Sequence, residues 1–319
     1  MHLSILIPSH RRADLLALCL ASVQRHAPPH TEILVVDDAS TGGTVSATVA
    51  RFRGVRTLRL RRRGGFCVAV NAGLAMATGD ILELLNDDTE VTPGWAEPAL
   101  AWFADPAVGA VAPLVLCGAR GERIDSAGDR YFLGGVAGKR GHGQPAATAP
   151  ARPEAVFGAS GAAAFYRRDA LVRLGGFPEH FGAYFEDVDT ALRLQRAGYQ
   201  TMYEPRSRVL HRVSASYGRP RRRLLEQQAC NEERVFWRNM PLGALPWHAA
   251  VLAAKAWRRW NEGTLAPFVC GRLRLLTEVG ELLRHRRRLR ALGPAAIDRW
   301  RVERRFWGEW KSVSLPSSC

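Results

Sequence analysis

The stretch GGFCVAVNAGLAMATGDILELLNDD, residues 64–88, holds a complete helix–turn–strand unit and ends on three polar residues. Gly64 and Gly65 open a helical stretch that runs through Met76 and stops near Gly79. Residues 80–85 read as a buried strand that runs straight into Asn86, Asp87 and Asp88. Upstream the alternation recurs. Residues 3–7 are a short continuous apolar run, as buried parallel strands are. Residues 14–25 place Leu15, Leu16, Cys19, Leu20 and Val23 on one helical stripe. Residues 32–36 form a second strand ending in Asp37 and Asp38; residues 45–52 read as helix and 55–60 as strand. Strands alternating with helices predict an α/β layer on a mostly parallel, Rossmann-like sheet. Ligands gather at the carboxyl ends of such strands. Residues 9–12, Asp37 with Asp38, and residues 86–88 all fall there.

Downstream, Pro93 suits the first turn of a helix reaching about Phe103. Residues 117–155 are rich in Gly, Ala, Pro and Arg without clear periodicity, and predict a long loop or loosely structured hairpin. Residues 162–166 read as strand and 187–197 as a helix closed by Gly198. Residues 200–203 and 208–210 read as two short strands, the second running into His211. After Arg219 the character changes. Residues 224–237 look helical. Residues 245–257 are apolar but contain His248 and Lys255, and fall short of the roughly 20 apolar residues that cross a bilayer.

Of the 319 residues, the first 205 carry 21 basic and 21 acidic side chains, and the rest carry 24 and 9, so the whole net charge of +15 lies in the tail. That asymmetry predicts an anionic partner: a membrane surface, nucleic acid or an acidic polymer. Trp257, Trp260, Trp300, Trp307 and Trp310, with the basic run 284–290, fit helices lying in a membrane interface. A solvated helical extension or a dimer contact is the alternative, and an oligomer stays open. The N-terminus places its apolar run before its arginines, whereas a secretory signal puts the charge first. A cytoplasmic location is expected, peripheral at the inner face of the membrane where the tail binds it. Six scattered cysteines (Cys19, Cys67, Cys117, Cys230, Cys270, Cys319) show no CxxC spacing and read as buried reduced thiols.

Two carboxylates at the mouth of a buried strand, Asp87 and Asp88, repel each other and need a cation or a donor. A hard divalent ion bridging to a diphosphate is one solution, and an Asx-rich turn capping the next helix is another. Asp37 and Asp38 can accept from a ribose hydroxyl or a base N–H, or cap the helix that follows. No GxGxxG turn follows the first strand, so a dinucleotide site lacks its phosphate cradle. Glu186, Asp187 and Asp189 open a helix, where the macrodipole favours acidic residues; Asp187 can also serve as general base. His211 can complete a divalent site begun by Asp88.

In order, SILIPSHRR (4–12), ILVVDDAS (33–40), residues 64–88, GASGAAAFYRRDALVRLGGF (158–177), YFEDVDTALRLQRAGY (184–199) and VLHRVSAS (209–216) resemble the family-2 glycosyltransferases. Within them the chain is similar to the bacterial rhamnosyltransferase-like branch with the GT-A fold. The resemblance covers residues 2–217. It implies a GT-A catalytic domain over residues 1–217 and a basic helical extension over 218–319. By the same resemblance Ser9, Arg12, Asp37 and Asp38 contact the nucleoside, and Gly65 and Asn71 lie against the nucleotide. Asn86, Asp87 and Asp88 correspond to the family's DxD motif, Asn86 standing where the first acid would be. Asp88 is then the metal ligand for Mg2+ or Mn2+, with His211 as a second. Asp187 corresponds to the catalytic base. The implied activity is inverting transfer from a nucleoside-diphosphate sugar to a hydroxyl of a glycan or lipid-linked acceptor, as in cell-wall or polysaccharide biosynthesis, with no nucleic-acid partner expected. A nucleotidyltransferase of related fold would leave the Glu186–Asp187 helix without a role. For a non-catalytic binder of nucleic acid or another anionic polymer, no recognition motif is visible.

Overall fold

The computed structural model describes residues 1–118, 120–212, 222–291 and 301–304. Trp300, Trp307, Trp310 and Cys319, and the junction at residues 217 and 218, lie outside the described residues. The N-terminal part alternates as its sequence predicts: β1 (Leu3–Ser9), α1 (Ala13–His26), β2 (Glu32–Asp37), α2 (Thr44–Val49), β3 (Val55–Arg59), α3 (Phe66–Met76) and β4 (Ile81–Leu85). These four strands lie parallel in the order β3-β2-β1-β4. Every residue of β1 and β4 is buried, because helices cover both faces. The pleat sorts the side chains. Leu6, Leu34, Leu82 and Leu84 enter one core with α3, while Ile5, Ile7, Val35, Ile81 and Leu85 enter the other with α1.

After β5 (Thr89–Val91) and α4 (Ala96–Ala101), the chain forms β6 (Val108–Cys117), ten buried residues that the sequence reading did not identify. Gly109 and Pro113 disguised it, since both break strand patterns. The long loop or loosely structured hairpin expected over 117–155 contains four short strands: β7 (Arg123–Ser126), β8 (Asp129–Phe132), β9 (Val136–Lys139) and β10 (Glu154–Val156). β7 pairs with β6, β8 pairs with β9 as a hairpin, and β10 pairs with a later strand. β11 (Ala163–Arg167) then inserts antiparallel between β4 and β6. α5 (Arg168–Arg173), α6 (Glu186–Arg196) and β12 (Gln200–His211) follow. β12 unites the two short strands expected at its ends. Its register on β6 shifts between Glu204 and Arg208, around Pro205, where Glu204 faces Pro113. Two prolines without N–H groups meet at that irregularity.

Four helices close the described chain: α7 (Arg222–Asn239), α8 (Leu245–Asn261), α9 (Leu265–Arg274) and α10 (Val279–Ala291). α7 is bolted to α6. Asp189 of α6 accepts from Arg193 at 2.8 Å, Arg238 at 3.0 Å and Asn239 at 2.8 Å. Cys19, Cys67 and Cys230 are buried and free, as expected, but Cys270 is exposed and Cys117 is disulfide-bonded.

Glu83, in the middle of β4, is fully buried. It accepts the Trp95 indole N–H at 2.8 Å on Oε1, and Oε2 has no hydrogen-bond partner. Burial pushes its carboxyl up to about 8, against the Trp95 bond. Between its ordinary 4.5 and that value the folded chain keeps a proton that the unfolded chain has released. Stability therefore falls as pH rises through this window, by up to about 1.4 kcal/mol per pH unit from this group. Glu83→Gln is expected to flatten that slope in denaturant titrations run from pH 5 to 8; an unchanged slope would exclude Glu83 as its source.

Candidate active site

The site assembles where β4 ends. Because β11 runs antiparallel to β4, its first residues lie beside the residues that leave β4. Asn86 N–H donates to Ala162 O at 2.9 Å. One residue earlier, Gly161 N–H donates to Asp187 Oδ2 at 2.9 Å. A two-residue step thus ties the acidic triplet to the start of α6. Residue 161 must be small: a Cβ there would stand 3.3 Å from Glu186 Oε1 and 3.4 Å from Asp187 Oδ2.

Asp187 Oδ1 accepts its neighbour's N–H, from Val188, at 2.8 Å. Beside it, burial and then the Asp187 charge push the Glu186 carboxyl well above the carboxylate range, and Glu186 Oε2 is unpartnered. Burial and then the Asp187 charge act likewise on buried Asp129. Both neighbours therefore hold their protons more tightly than an exposed carboxyl does. The turn before α6 is strained: Tyr184 and Phe185 have φ of 74° and 68°, left-handed values for consecutive non-glycine residues. Asn231 of α7, fully buried, clamps it. Its Nδ2 donates to the carbonyls of Phe181, Ala183 and Tyr184, each at 2.9 Å. Gln227 adds bonds to Phe181 O and Ala183 O at 2.9 and 3.2 Å.

On the other side, β5 pairs with β12 so that His211 lies opposite Thr89. Asp88 O accepts Arg212 N–H at 2.8 Å, and His211 Nε2 lies 3.1 Å from Asp88 Oδ1. His211 Nδ1 lies 2.9 Å from Asp125 Oδ2. Asp125 also accepts Lys139 Nζ on both oxygens at 2.9 Å. Burial raises the Asp125 carboxyl, but the Lys139 ammonium and the bonds to His142 and His211 outweigh it and hold it well below the usual range. Burial likewise opposes the His211 charge, yet the bonds to Asp125 and Asp88 raise its imidazole to about 9. A carboxylate behind one ring nitrogen, with the other aimed at a second carboxylate, is the arrangement that orients a metal-binding histidine. Among the described residues no group of three or more His, Cys, Asp or Glu could hold an ion by itself. The Asp88–His211 pair suits a divalent cation that takes its remaining oxygens from a ligand or water.

The other expected site residues divide into two groups. Ser9 Oγ donates to Asp87 Oδ2 at 2.5 Å, and burial lifts the Asp87 carboxyl to about 6 against that bond. Asp38 accepts from Gly64 and Gly65 N–H at 2.6 and 2.9 Å, fixing Gly65 (φ 85°) at the start of α3. Arg12 lies near the triplet's charges and pairs with Asp14 at 3.1 Å. Asp37 and Asn71 bond to the turns around them, Asp37 buried and Asn71 half-buried. Asp37 is fully buried and accepts Ser40 N–H at 2.7 Å, Ser46 Oγ–H at 2.6 Å and an Arg59 bond at 3.3 Å. The Asn71 amide donates to Phe177 O and accepts Phe177 N–H, both at 2.8 Å. Asp125, Lys139 and Asn231 were not anticipated. The alternation Arg123-Ile124-Asp125-Ser126 is a strand signal, masked by the surrounding glycines; nothing in the polar run around Asn231 marks it.

A parallel sheet with an acidic triplet at a strand end, a histidine on its flank and a Glu–Asp helix across an antiparallel insertion defines the GT-A class. The chain belongs to glycosyl transferase family 2, whose model matches residues 4–175. It is 33% identical over 225 residues to an N-acetylglucosaminyl-diphospho-decaprenol L-rhamnosyltransferase of Mycobacterium tuberculosis, covering 63% of this chain and 72% of that protein. Other curated relatives are longer: the chain spans 25%, 37% and 17% of three of them. Its fold is similar to that of GalNAc-T7 solved with UDP, GalNAc and Mn2+, with a TM-score of 0.60, 20% identity, 75% of this chain and 48% of that one. A mannosyltransferase of Pyrobaculum calidifontis, solved with GDP-Man and Mn2+, gives a TM-score of 0.55 at 22% identity over 93% and 86% of the two chains.

Asn231→Ala removes the donor that three carbonyls share. Amide hydrogen exchange in residues 182–189 is expected to accelerate while β1 and β4 stay protected, at a cost of about 1–3 kcal/mol in unfolding free energy. Unchanged exchange in that turn would show that Asn231 does not hold it.

Proposed function

We propose that the chain transfers a sugar from a nucleoside-diphosphate sugar to a hydroxyl of a glycan or lipid-linked acceptor, with inversion at the anomeric carbon. The observation that carries this reading is the Gly161–Ala162 step, which holds Asp187 and the Asn86–Asp88 triplet on neighbouring backbone groups. Each Asp187 oxygen takes one backbone N–H and keeps lone-pair capacity for an acceptor hydroxyl. The acceptor O–H proton passes to Asp187. The acceptor oxygen bonds to the anomeric carbon from the face opposite the diphosphate. The carbon–phosphate-oxygen bond breaks, and the diphosphate leaves with the electron pair. A divalent cation, Mg2+ or Mn2+, held by Asp88 and His211 would stabilise the charge gathering on that leaving group. Asp125 and Lys139 keep His211 turned toward Asp88. Ser9, Arg12, Asp38, Gly65, Asn86 and Asp87 line the nucleotide side in this reading. Asp37 and Asn71 act there through the turns they hold.

The relatives support the same classes. The rhamnosyltransferase is named for a lipid-linked diphosphate acceptor, and the two solved structures contain UDP or GDP-mannose with Mn2+.

A donor screen with Mg2+ or Mn2+, scoring nucleoside-diphosphate release, tests the reading. Asp187→Ala is expected to lower turnover by about 10²–10⁴-fold. Asp88→Ala should raise the metal concentration required, and Asp125→Asn should raise it about 10–100-fold without abolishing turnover at saturating metal. Chelation should stop the reaction. Full activity in both Asp88→Ala and Asp187→Ala would sink the mechanism.

A further inference from the structure

α8 is inside out for a surface helix. Its inward face carries His248 and Lys255 with Val251 between them. His248 Nε2 meets Glu233 Oε1 at 2.9 Å, and Lys255 Nζ bonds Glu232, both carboxylates belonging to α7. Arg272 of α9 closes the cluster, 2.6 Å from Glu232 and 3.1 Å from Glu233. The outward face carries Trp247, Ala250, Ala253, Trp257 and Trp260, all exposed, Trp257 by 71% and Trp260 by 68%. Ordinary amphipathic helices reverse this arrangement. α8 packs on α9, and Leu273, Leu276 and Leu283 further along the chain are exposed as well. Three exposed indoles on the outward side of one helix mark an interaction surface. α10, which packs on α7, exposes Arg284, Arg287, Arg288 and Arg290.

We propose that this face docks on an anionic lipid bilayer, the Trp side chains entering the boundary between headgroups and acyl chains. Three observations select this occupant. Indole rings favour that boundary, where one edge is apolar and the other wet. Residues 206–319 hold the protein's whole cationic excess, which complements anionic headgroups. A second copy seated on the same face would set two such excesses against each other. Among the described residues no helix is long and apolar enough to cross a membrane, so the face lies on the bilayer. The inference does not depend on the reaction proposed above. If both hold, the docked protein meets a lipid-linked acceptor at its own surface.

Flotation of the full chain with phosphatidylglycerol–phosphatidylcholine vesicles, against phosphatidylcholine alone, tests it. The wild type is expected to float with the anionic vesicles at low salt, to release at high salt, and to lose tryptophan fluorescence to brominated lipid. Trp257→Ser with Trp260→Ser should weaken partition by at least about tenfold. Its thermal midpoint should be unchanged, since both rings already face solvent. Arg287→Glu with Arg288→Glu should abolish the preference for anionic vesicles. Absence of flotation, or equal flotation of the tryptophan variant, overturns the proposal. So does a wild-type dimer in sedimentation that the tryptophan variant dissociates, because the occupant is then a second copy.

Discussion

β11 reverses direction between β4 and β6, and the site depends on that reversal. In a wholly parallel sheet, the segment entering β11 would emerge at the opposite end from the acidic triplet. Antiparallel pairing puts Gly161 and Ala162 at the mouth of β4. Their two backbone groups then reach Asp187 and Asn86 at 2.9 Å each. The small side chains of the GASGAAA run follow from this. Gly161 leaves room for two carboxyls, and the alanines of β11 are buried between two strands. The sheet's second half applies the same device to the other pair. β12 is parallel to β6 and antiparallel to β5, so His211 and Asp88 become neighbours across 123 positions of sequence.

Burying so many acids needs two distinct solutions. Asp37, Asp125 and Asp189 stay charged because each is ringed by donors. Asp189 has two arginines and an amide, and Asp125 has a lysine and two histidines. Their carboxyls are held below the ordinary range despite burial. Glu83, Glu186 and Asp129 lack such rings and are pushed upward by burial. The first solution rigidifies, since removing one partner strands a charge. The second leaves the acid to hold its proton. The division is a property of the partners, not of the acids themselves.

That distinction also explains what the sequence could disclose. The β1-to-β4 half was legible because each element carries its own period: the stripe of α1, the apolar run of β1, the strand that ends in Asn86. Asp88, His211 and Asp187 stood out because they are polar residues at element ends. Asp37 and Asn71 stand in motif positions too, yet their side chains are consumed by Ser40, Ser46 and Phe177. A motif fixes the residue type and not the direction in which it spends its hydrogen bonds. β6 was hidden by Pro113, whose missing N–H falls where β12 itself breaks register. The Asp125–Lys139 support was hidden because it comes from two short strands among glycines, paired only through tertiary contact.

α7 links the reaction to the proposed surface. Asn231 turns one way, to the strained Tyr184–Phe185 backbone, and Arg238 and Asn239 grip Asp189 on the same helix as Asp187. The next residues, Glu232 and Glu233, turn the other way and receive Lys255 and His248 from α8. Those two contacts turn His248 and Lys255 inward, and the helix is left with its tryptophans outside. Consecutive positions on one helix therefore set both the turn before α6 and the apolar face of α8. A chain that must meet its acceptor at a bilayer gains from this coupling, because the distance between the docked face and Asp187 is fixed by a single rigid element rather than by a linker.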